Sequence, residues 1–184
     1  MTRWRCSDGV MKCVEVGYFC FHSMHHSSSA LSFEEVVNRI KLLRLFRRCI
    51  ILGTKWCGPG NVADSYDDLG VEAEADACCR DHDHCPDLIP GGDSKYNLTN
   101  EAFYTRLNCT CDDKFHDCLK DSNTKTAKYI GVIYFNTLQT KCFRKDYPVI
   151  ECVKKGGWFK TKCLEYSYNT TEDQVYQWFD VQDF

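Results

Sequence analysis

Two cysteine-rich segments contain the residues best suited to chemistry, and a histidine lies at the centre of the first. His82 stands four residues after Cys78 and three before Cys85. On an α-helix, where each residue advances by about 100°, these three side chains share one face. A histidine is suited to act as a general base because its ordinary pKa lies near neutrality. Asp83 and Cys79 share a second face, so the segment predicts an imidazole and a carboxylate on neighbouring faces of one helix.

The second segment repeats the cysteine spacing of the first. Cys111 and Cys118 are seven residues apart, as are Cys78 and Cys85, so each pair lies on one side of a helix, about 10 Å apart along its axis. If the two helices are antiparallel, Cys78 meets Cys118 and Cys85 meets Cys111. That arrangement holds His82 between two disulfides. Taken alone, a histidine in this position is more often a packing residue than a catalytic one.

A glycine-rich loop precedes both helices and contains one cysteine. It reads Trp-Cys-Gly-Pro-Gly-Asn over residues 56–61. Cys79 is the cysteine on the Asp83 face of the first helix, so a Cys57–Cys79 disulfide would place the loop beside that carboxylate. Loop carbonyls and a carboxylate form an all-oxygen site, which suits Ca²⁺ better than Zn²⁺. The pattern therefore predicts a calcium ion next to the imidazole of His82.

Five motifs follow one another along the chain. They are W-C-G-x-G-N at 56–61, D-A-C-C-R-x-H-D-x-C-P-D at 76–87, C-x-C-D-D-K-F at 109–115, Y-F-N at 134–136 and V-Y-Q-W-F-D at 175–180. In their order and cysteine spacing they resemble the bee-venom-type (group III) secreted phospholipase A2 family. The resemblance covers roughly residues 50–184. Its specificity comes from the combination of the glycine loop with C-C-x-x-H-D-x-C.

This resemblance implies a mainly α fold with a small antiparallel β wing, rich in disulfides, in which two antiparallel, cross-linked helices carry the site. A third helical segment is expected near residues 129–135, although the β-branched and aromatic residues there also fit a strand. Cys109 and Cys142 are expected to pair because both remain once the two helices are joined, and the last two cysteines are expected to staple the β wing. The expected disulfides are Cys57–Cys79, Cys78–Cys118, Cys85–Cys111, Cys109–Cys142 and Cys152–Cys163.

The resemblance also implies roles for three catalytic residues. His82 is expected to act as the general base on a water molecule. Asp112, one residue after Cys111 on the facing helix, is expected to accept the other ring N–H of the imidazole and to fix its tautomer. Tyr134 is expected to donate a hydrogen bond to the same carboxylate.

Calcium coordination is likewise implied by the resemblance. The expected ligands are the Asp83 carboxylate and the carbonyls of Trp56, Gly58 and Gly60, because alternate carbonyls of an extended loop point the same way. The Gly58 N–H is expected to donate to the oxyanion of the reaction. Pro59 removes one N–H and biases Gly58 toward an extended conformation, and neither effect touches these carbonyls.

The function implied by the resemblance is hydrolysis of the sn-2 acyl ester of glycerophospholipids to a lysophospholipid and a free fatty acid. Such a calcium-dependent phospholipase A2, a carboxylic ester hydrolase, acts peripherally at a phospholipid membrane or micelle surface and is expected to be a monomer. Two other classes remain open. One is a catalytically silent, disulfide-rich binding protein on the same scaffold, against which the presence of His82 and Asp83 argues. The other is the precursor of a membrane-active peptide formed by residues 32–48.

Cysteine content and charge further restrict the possible functional classes of this protein. Fourteen cysteines among 184 residues indicate an oxidising compartment and a secreted protein, and they lack the repeated C-x-x-C pairs of structural zinc sites. Residues 49–184 carry 15 basic and 22 acidic side chains, whereas residues 1–48 carry eight and four. The acidic segment argues against a nucleic-acid partner. Attachment to lipid must therefore use exposed apolar side chains or local basic patches.

Residues 1–48 are expected to form an N-terminal extension or pro-segment, partly disordered, before a catalytic domain at 49–184. A capping box and apolar residues at helical spacing predict an amphipathic helix over about 32–48, lying on a membrane or on the domain that it precedes. Arg47-Arg48 suits a processing protease. No secretory leader is evident, so we expect that the true start lies elsewhere or that the sequence is an incomplete precursor. Four cysteines have no assigned partner: Cys6, Cys13, Cys20 and Cys49.

Local patterns give two further expectations. Asp76 is expected to cap the first helix, and Pro86 to limit it. Sequons for N-glycosylation occur at Asn97, Asn108 and Asn169. Because Asn108 borders a bridged cysteine on a helix, glycosylation is expected at Asn97 and Asn169.

Overall fold

The computed structural model describes residues 5–7, 10–12 and 50–184. The predicted amphipathic helix at 32–48 lies outside the described residues, as do Cys13, Cys20 and Cys49. The chain divides into two units, residues 1–76 and 77–184.

The first unit contains a small sheet of three strands. Strand β1 is Arg5–Ser7, β2 is Val10–Lys12 and β3 is Ile50–Ile51. β1 and β2 pair antiparallel, and β2 pairs with β3 in parallel. Both isoleucines of β3 are buried. The glycine loop begins at Trp56, five residues after this buried strand.

Helix α1, Ala73–Asp83, begins in the first unit and ends in the second. Acidic residues occupy its first turn and basic residues its last turn, which complements the helix macrodipole. The helix contains neither glycine nor proline, and Pro86 follows three residues after its end. Since proline disfavours helical backbone at the residue before it, the chain leaves the helix here.

Two further helices and a π-helical turn lie in the second unit. α2 is Cys109–Ser122, capped by Asn108, whose side chain accepts a hydrogen bond from Thr110 N. α3 is Lys125–Gly131, capped in the same way by Thr124, and it continues into a π-helix over Val132–Thr137. The segment near 129–135, for which strand and helix were both open, is therefore helical.

The strands of the second unit form four antiparallel pairs. The two long pairs are β8 (Lys141–Asp146) with β11 (Val175–Asp180), and β9 (Val149–Gly156) with β10 (Lys162–Tyr168). The two short pairs are β4 (Leu88–Ile89) with β7 (Arg106–Leu107), and β5 (Ser94–Lys95) with β6 (Leu98–Thr99). The predicted small antiparallel β wing is thus confirmed, and the two short ladders both lie within residues 88–107.

Aromatic side chains form much of the core of the second unit. Phe135 of the π-helix, Phe143 of β8 and Phe179 of β11 are at most 1% exposed. Phe115 of α2 packs on Phe135 with ring centroids 5.8 Å apart. This core fixes the positions of α2 and the π-helix, which carry two of the predicted site residues. Within residues 5–7, 10–12 and 50–184, every helix is too short or too polar to span a bilayer.

Candidate active site

Disulfides tie the elements of the second unit together. Bonds with Cα–Cα distances between 4.8 and 5.9 Å join four pairs of described residues within this unit: Cys78–Cys118, Cys85–Cys111, Cys109–Cys142 and Cys152–Cys163. All four are pairs expected above. Cys57 and Cys79 are each disulfide-bonded as well, and their pairing with each other stays a prediction.

The imidazole of His82 lies against the side chains of α2. Its Nε2 is 2.9 Å from Asp112 Oδ1, and the side chains of His82 and Asp112 are 10% and 1% exposed. A carboxylate can only accept, so Nε2–H is the donor, and in the neutral ring this leaves the lone pair on Nδ1. The ring also stacks on Phe115, with centroids 4.2 Å apart and planes 22° apart. One hydrogen bond and one stacking contact therefore fix the orientation of the base.

Tyr134 completes this hydrogen-bonded group. Its hydroxyl donates to Asp112 Oδ1 at 2.8 Å, and its ring meets the His82 ring edge-on at 5.0 Å. Burial and then the nearby Asp112 carboxylate raise the pKa of Tyr134 well above its ordinary value. The phenol therefore stays protonated and remains a donor across the neutral range. Asp112 lies in the first turn of α2, where the helix macrodipole stabilises a negative charge.

Asp76 organises the glycine loop from within the first unit. Its side chain is fully buried, and it accepts three backbone hydrogen bonds of 2.8 Å, from Lys55 N and Gly70 N on Oδ2 and from Trp56 N on Oδ1. The prediction that Asp76 caps α1 is wrong, because the helix begins at Ala73. The carboxylate instead satisfies amides of a loop some 20 residues earlier in the chain. No local sequence pattern predicts such a long-range contact.

The carbonyls of the residues on either side of Trp56 accept hydrogen bonds within the first unit. Lys55 O accepts from Val62 N at 2.8 Å, and Cys57 O accepts from Ile51 N at 2.9 Å. Trp56 is buried and its indole Nε1 donates to the Asp68 carbonyl at 3.1 Å. These bonds hold the loop in one conformation on both sides of Trp56.

The structure brings together the three predicted catalytic residues, His82, Asp112 and Tyr134. The expected calcium ligands belong to both units: the three carbonyl donors lie in the first, and Asp83, the exposed last residue of α1, lies in the second. Their assembly into one site stays a prediction. Among the described residues, no group of three or more His, Cys, Asp or Glu side chains is placed to hold a metal, which bears on side-chain ligands only.

The three sequons differ in their surroundings. Asn97 is exposed in a tight turn with φ +61°. The Asn169 Oδ1 accepts from Thr171 N at 3.2 Å, and its Nδ2 donates to Glu172. Asn108 caps α2, and its Nδ2 donates to Asp87 Oδ2 at 3.2 Å. The Asn108 amide therefore has a structural role, whereas Asn97 lies on the surface.

Comparisons with known proteins agree with these motifs. A family model described as phospholipase A2 matches residues 50–146. Relatives named phospholipase A2 include those of Xylocopa aruana, 55% identical over 134 residues (73% of this chain and 73% of the relative), and Apis dorsata, 48% identical over 133 residues (72% and 97%). The relative from Apis mellifera is 44% identical over 151 residues (82% and 89%).

The chain belongs to the phospholipase A2 family. Its predicted membership of the bee-venom type within that family is confirmed. The helices, the small antiparallel strands and the disulfides described above agree with a disulfide-rich fold of this family.

Proposed function

We propose that this chain is a secreted, calcium-dependent phospholipase A2 that hydrolyses the sn-2 acyl ester of glycerophospholipids. The observation that carries the proposal is the hydrogen-bonded group of His82, Asp112 and Tyr134 in a chain of this family. The relatives reported above bear the name of the same activity. The products are a lysophospholipid and a free fatty acid.

His82 supplies the general base. With Nε2–H donated to Asp112, the lone pair of Nδ1 takes a proton from a water molecule as that water attacks the ester carbonyl. The Asp112 carboxylate stabilises the charged ring, which then returns the proton to the departing lysophospholipid oxygen. Water adds to the ester directly, so no acyl-enzyme forms. Tyr134 keeps Asp112 in place through its own hydrogen bond.

The residues expected to hold calcium offer hard oxygen donors, which is the ligand chemistry that Ca²⁺ prefers. They are the carbonyls of Trp56, Gly58 and Gly60 and the carboxylate of Asp83. Bound calcium supplies the positive charge that polarises the ester carbonyl and attracts the substrate phosphate. The Gly58 N–H donates to the oxyanion.

The proposal includes the arrangement of the two site helices and the organisation of the chain. The reversed order of the Cys78–Cys118 and Cys85–Cys111 bonds supports an antiparallel pair of cross-linked helices. Residues 1–48 form a pro-segment and 49–184 the catalytic domain, an assignment supported by a family match that begins at residue 50. The disulfides support secretion. The mature enzyme acts as a monomer on phospholipid surfaces.

The experiment is product analysis with a phospholipid that carries distinguishable acyl chains at sn-1 and sn-2. We expect the purified, secreted chain to release only the sn-2 fatty acid in the presence of calcium, and to lose this activity when a chelator is added. Release of the sn-1 chain would assign another esterase specificity. Release that persists with the chelator would remove calcium from the mechanism.

A further inference from the structure

The hairpin formed by β9 and β10 exposes apolar side chains around its tip. Val153, Trp158 and Leu164 are between 41% and 58% exposed. The tryptophan ring carries a large apolar surface, and its N–H suits an interface that is apolar on one side and wet on the other. The hairpin therefore has apolar side chains available to a partner.

The same tip is positively charged in an otherwise acidic domain. Lys154, Lys155 and Lys160 are exposed, and no acidic residue occurs between Cys152 and Leu164. Residues 49–184 as a whole carry seven more acidic than basic side chains. The tip thus places three exposed lysines next to exposed apolar side chains, and the nearest acidic residue of β10, the exposed Glu165, lies opposite Lys154 in the ladder. We refer to Val153, Lys154, Lys155, Trp158, Lys160 and Leu164 as the hairpin patch.

The hairpin is held firmly at the end that carries its turn. The Cys152–Cys163 disulfide joins its strands. The buried Lys162 side chain lies 2.6 Å from the Phe135 carbonyl and forms an ion pair with Asp183 at 2.6 Å. Trp158 N also donates to the Asp183 carboxylate. Because Phe135 follows Tyr134 directly, these contacts fasten the hairpin to the π-helix that carries a site residue.

We propose that the hairpin patch docks the protein onto an anionic phospholipid bilayer. This inference rests on the proposed function, which places the substrate in such a surface. Tryptophan is favoured at the membrane interface, and lysines bind anionic headgroups while their alkyl stems cover apolar surface. A second copy of this chain docked patch to patch fits less well, because both patches carry positive charge. The domain overall is acidic, so the patch directs docking despite an unfavourable net charge.

The experiment measures binding to vesicles without hydrolysis. The purified chain is sedimented with ether-linked phosphatidylglycerol vesicles or ether-linked phosphatidylcholine vesicles, in chelator. Trp158→Ala is expected to weaken binding to the anionic vesicles about tenfold, since it removes one interfacial aromatic anchor. Replacing the three patch lysines by glutamine is expected to weaken it about a hundredfold, at roughly fivefold for each lysine.

Matched controls lie outside the hairpin. Phe103, an aromatic side chain that is 50% exposed, is changed to alanine, and the exposed Lys125, Lys128 and Lys145 are changed together to glutamine. These variants are expected to bind anionic vesicles within twofold of the parent chain. Hydrolysis of a short-chain phospholipid below its micelle concentration is expected to be unchanged in every variant, because none alters the hydrogen-bonded group around His82.

The outcomes separate this inference from the proposed function. Anionic binding that survives both patch changes, or that falls equally in the controls, overturns the inference. Equal binding to phosphatidylglycerol and phosphatidylcholine vesicles overturns the claim that the patch prefers an anionic bilayer. If the parent chain forms a concentration-dependent dimer that Trp158→Ala abolishes, the patch is a self-association surface and the inference is overturned. A chain that binds through the patch but never hydrolyses the dispersed substrate contradicts the proposed function and leaves the docking surface standing.

Discussion

Asp76→Asn tests the structural support of the glycine loop. The buried carboxylate receives two backbone bonds on one oxygen and one on the other, all of 2.8 Å. The asparagine amide keeps the size of the side chain but has only one acceptor oxygen. At best that oxygen keeps the hydrogen bonds from Lys55 N and Gly70 N, and the NH2 group then meets the Trp56 N–H, so that two donors face each other. Losing one charge-assisted bond and leaving a buried N–H unpaired is expected to cost about 3 kcal/mol.

The assay is urea unfolding of the parent chain and the variant. With a slope of about 2 kcal/mol per M, the midpoint is expected to fall by roughly 1.5 M. Hydrogen exchange adds a local readout: the Lys55, Trp56 and Gly70 amides should exchange at least tenfold faster in the variant, because their shared acceptor is weakened. Asp67→Asn is the matched control, an exposed aspartate of the same unit, and it should change stability by at most about 0.5 kcal/mol.

This reasoning is refuted by either of two results. One is a midpoint for Asp76→Asn that agrees with that of Asp67→Asn. The other is unchanged exchange of the Lys55, Trp56 and Gly70 amides, which would mean that the carboxylate does not hold these segments. Calcium titration of the variant extends the test, since a loosened loop should bind the ion at least tenfold more weakly than the parent chain.

Three other predictions follow from single contacts. Because the pKa of Tyr134 is raised in the native chain, above about pH 10 the unfolded chain loses the phenol proton while the native chain keeps it, so the free energy of unfolding falls as pH rises. Urea unfolding of Tyr134→Phe should show a smaller fall over the same pH range. Asn108→Ala removes the cap of α2 and should cost about 1 kcal/mol, and mass spectrometry of the secreted protein should find Asn108 unmodified; a glycan there contradicts its capping role. Lys162→Met leaves Asp183 without its ion-pair partner and should cost about 3 kcal/mol; a thermal midpoint equal to that of the parent chain contradicts this.

The parts of the site that the sequence predicts are those determined by helical spacing and by the family motifs. The seven-residue interval between cysteines gives the register of Cys78–Cys118 and Cys85–Cys111, and the structure has both bonds. The same register brings the segment containing Asp112 beside His82. Helical periodicity and disulfide pairing are enough to predict these contacts, because few arrangements of the two helices satisfy both.

The parts that the sequence does not predict depend on tertiary contacts. Asp76 has the type and position of a helix cap, and only the folded loop shows that its carboxylate binds the amides of Lys55 and Trp56. The β-branched and aromatic residues near 129–135 also fit a strand, so composition alone does not predict the π-helix at Val132–Thr137, whose Phe135 is buried in the core. The strands within 88–107 are two residues each, too short for alternation to be visible.

The central claim is that His82 removes the proton from the attacking water, and His82→Gln tests it most directly. Glutamine retains a polar side chain of similar reach but lacks a basic nitrogen. In the presence of calcium, the rate of sn-2 fatty-acid release should fall by at least about a hundredfold, within the range expected for loss of a general base, while the circular dichroism spectrum stays that of the parent chain. A well-folded variant that releases fatty acid at a rate close to that of the parent chain would contradict the account.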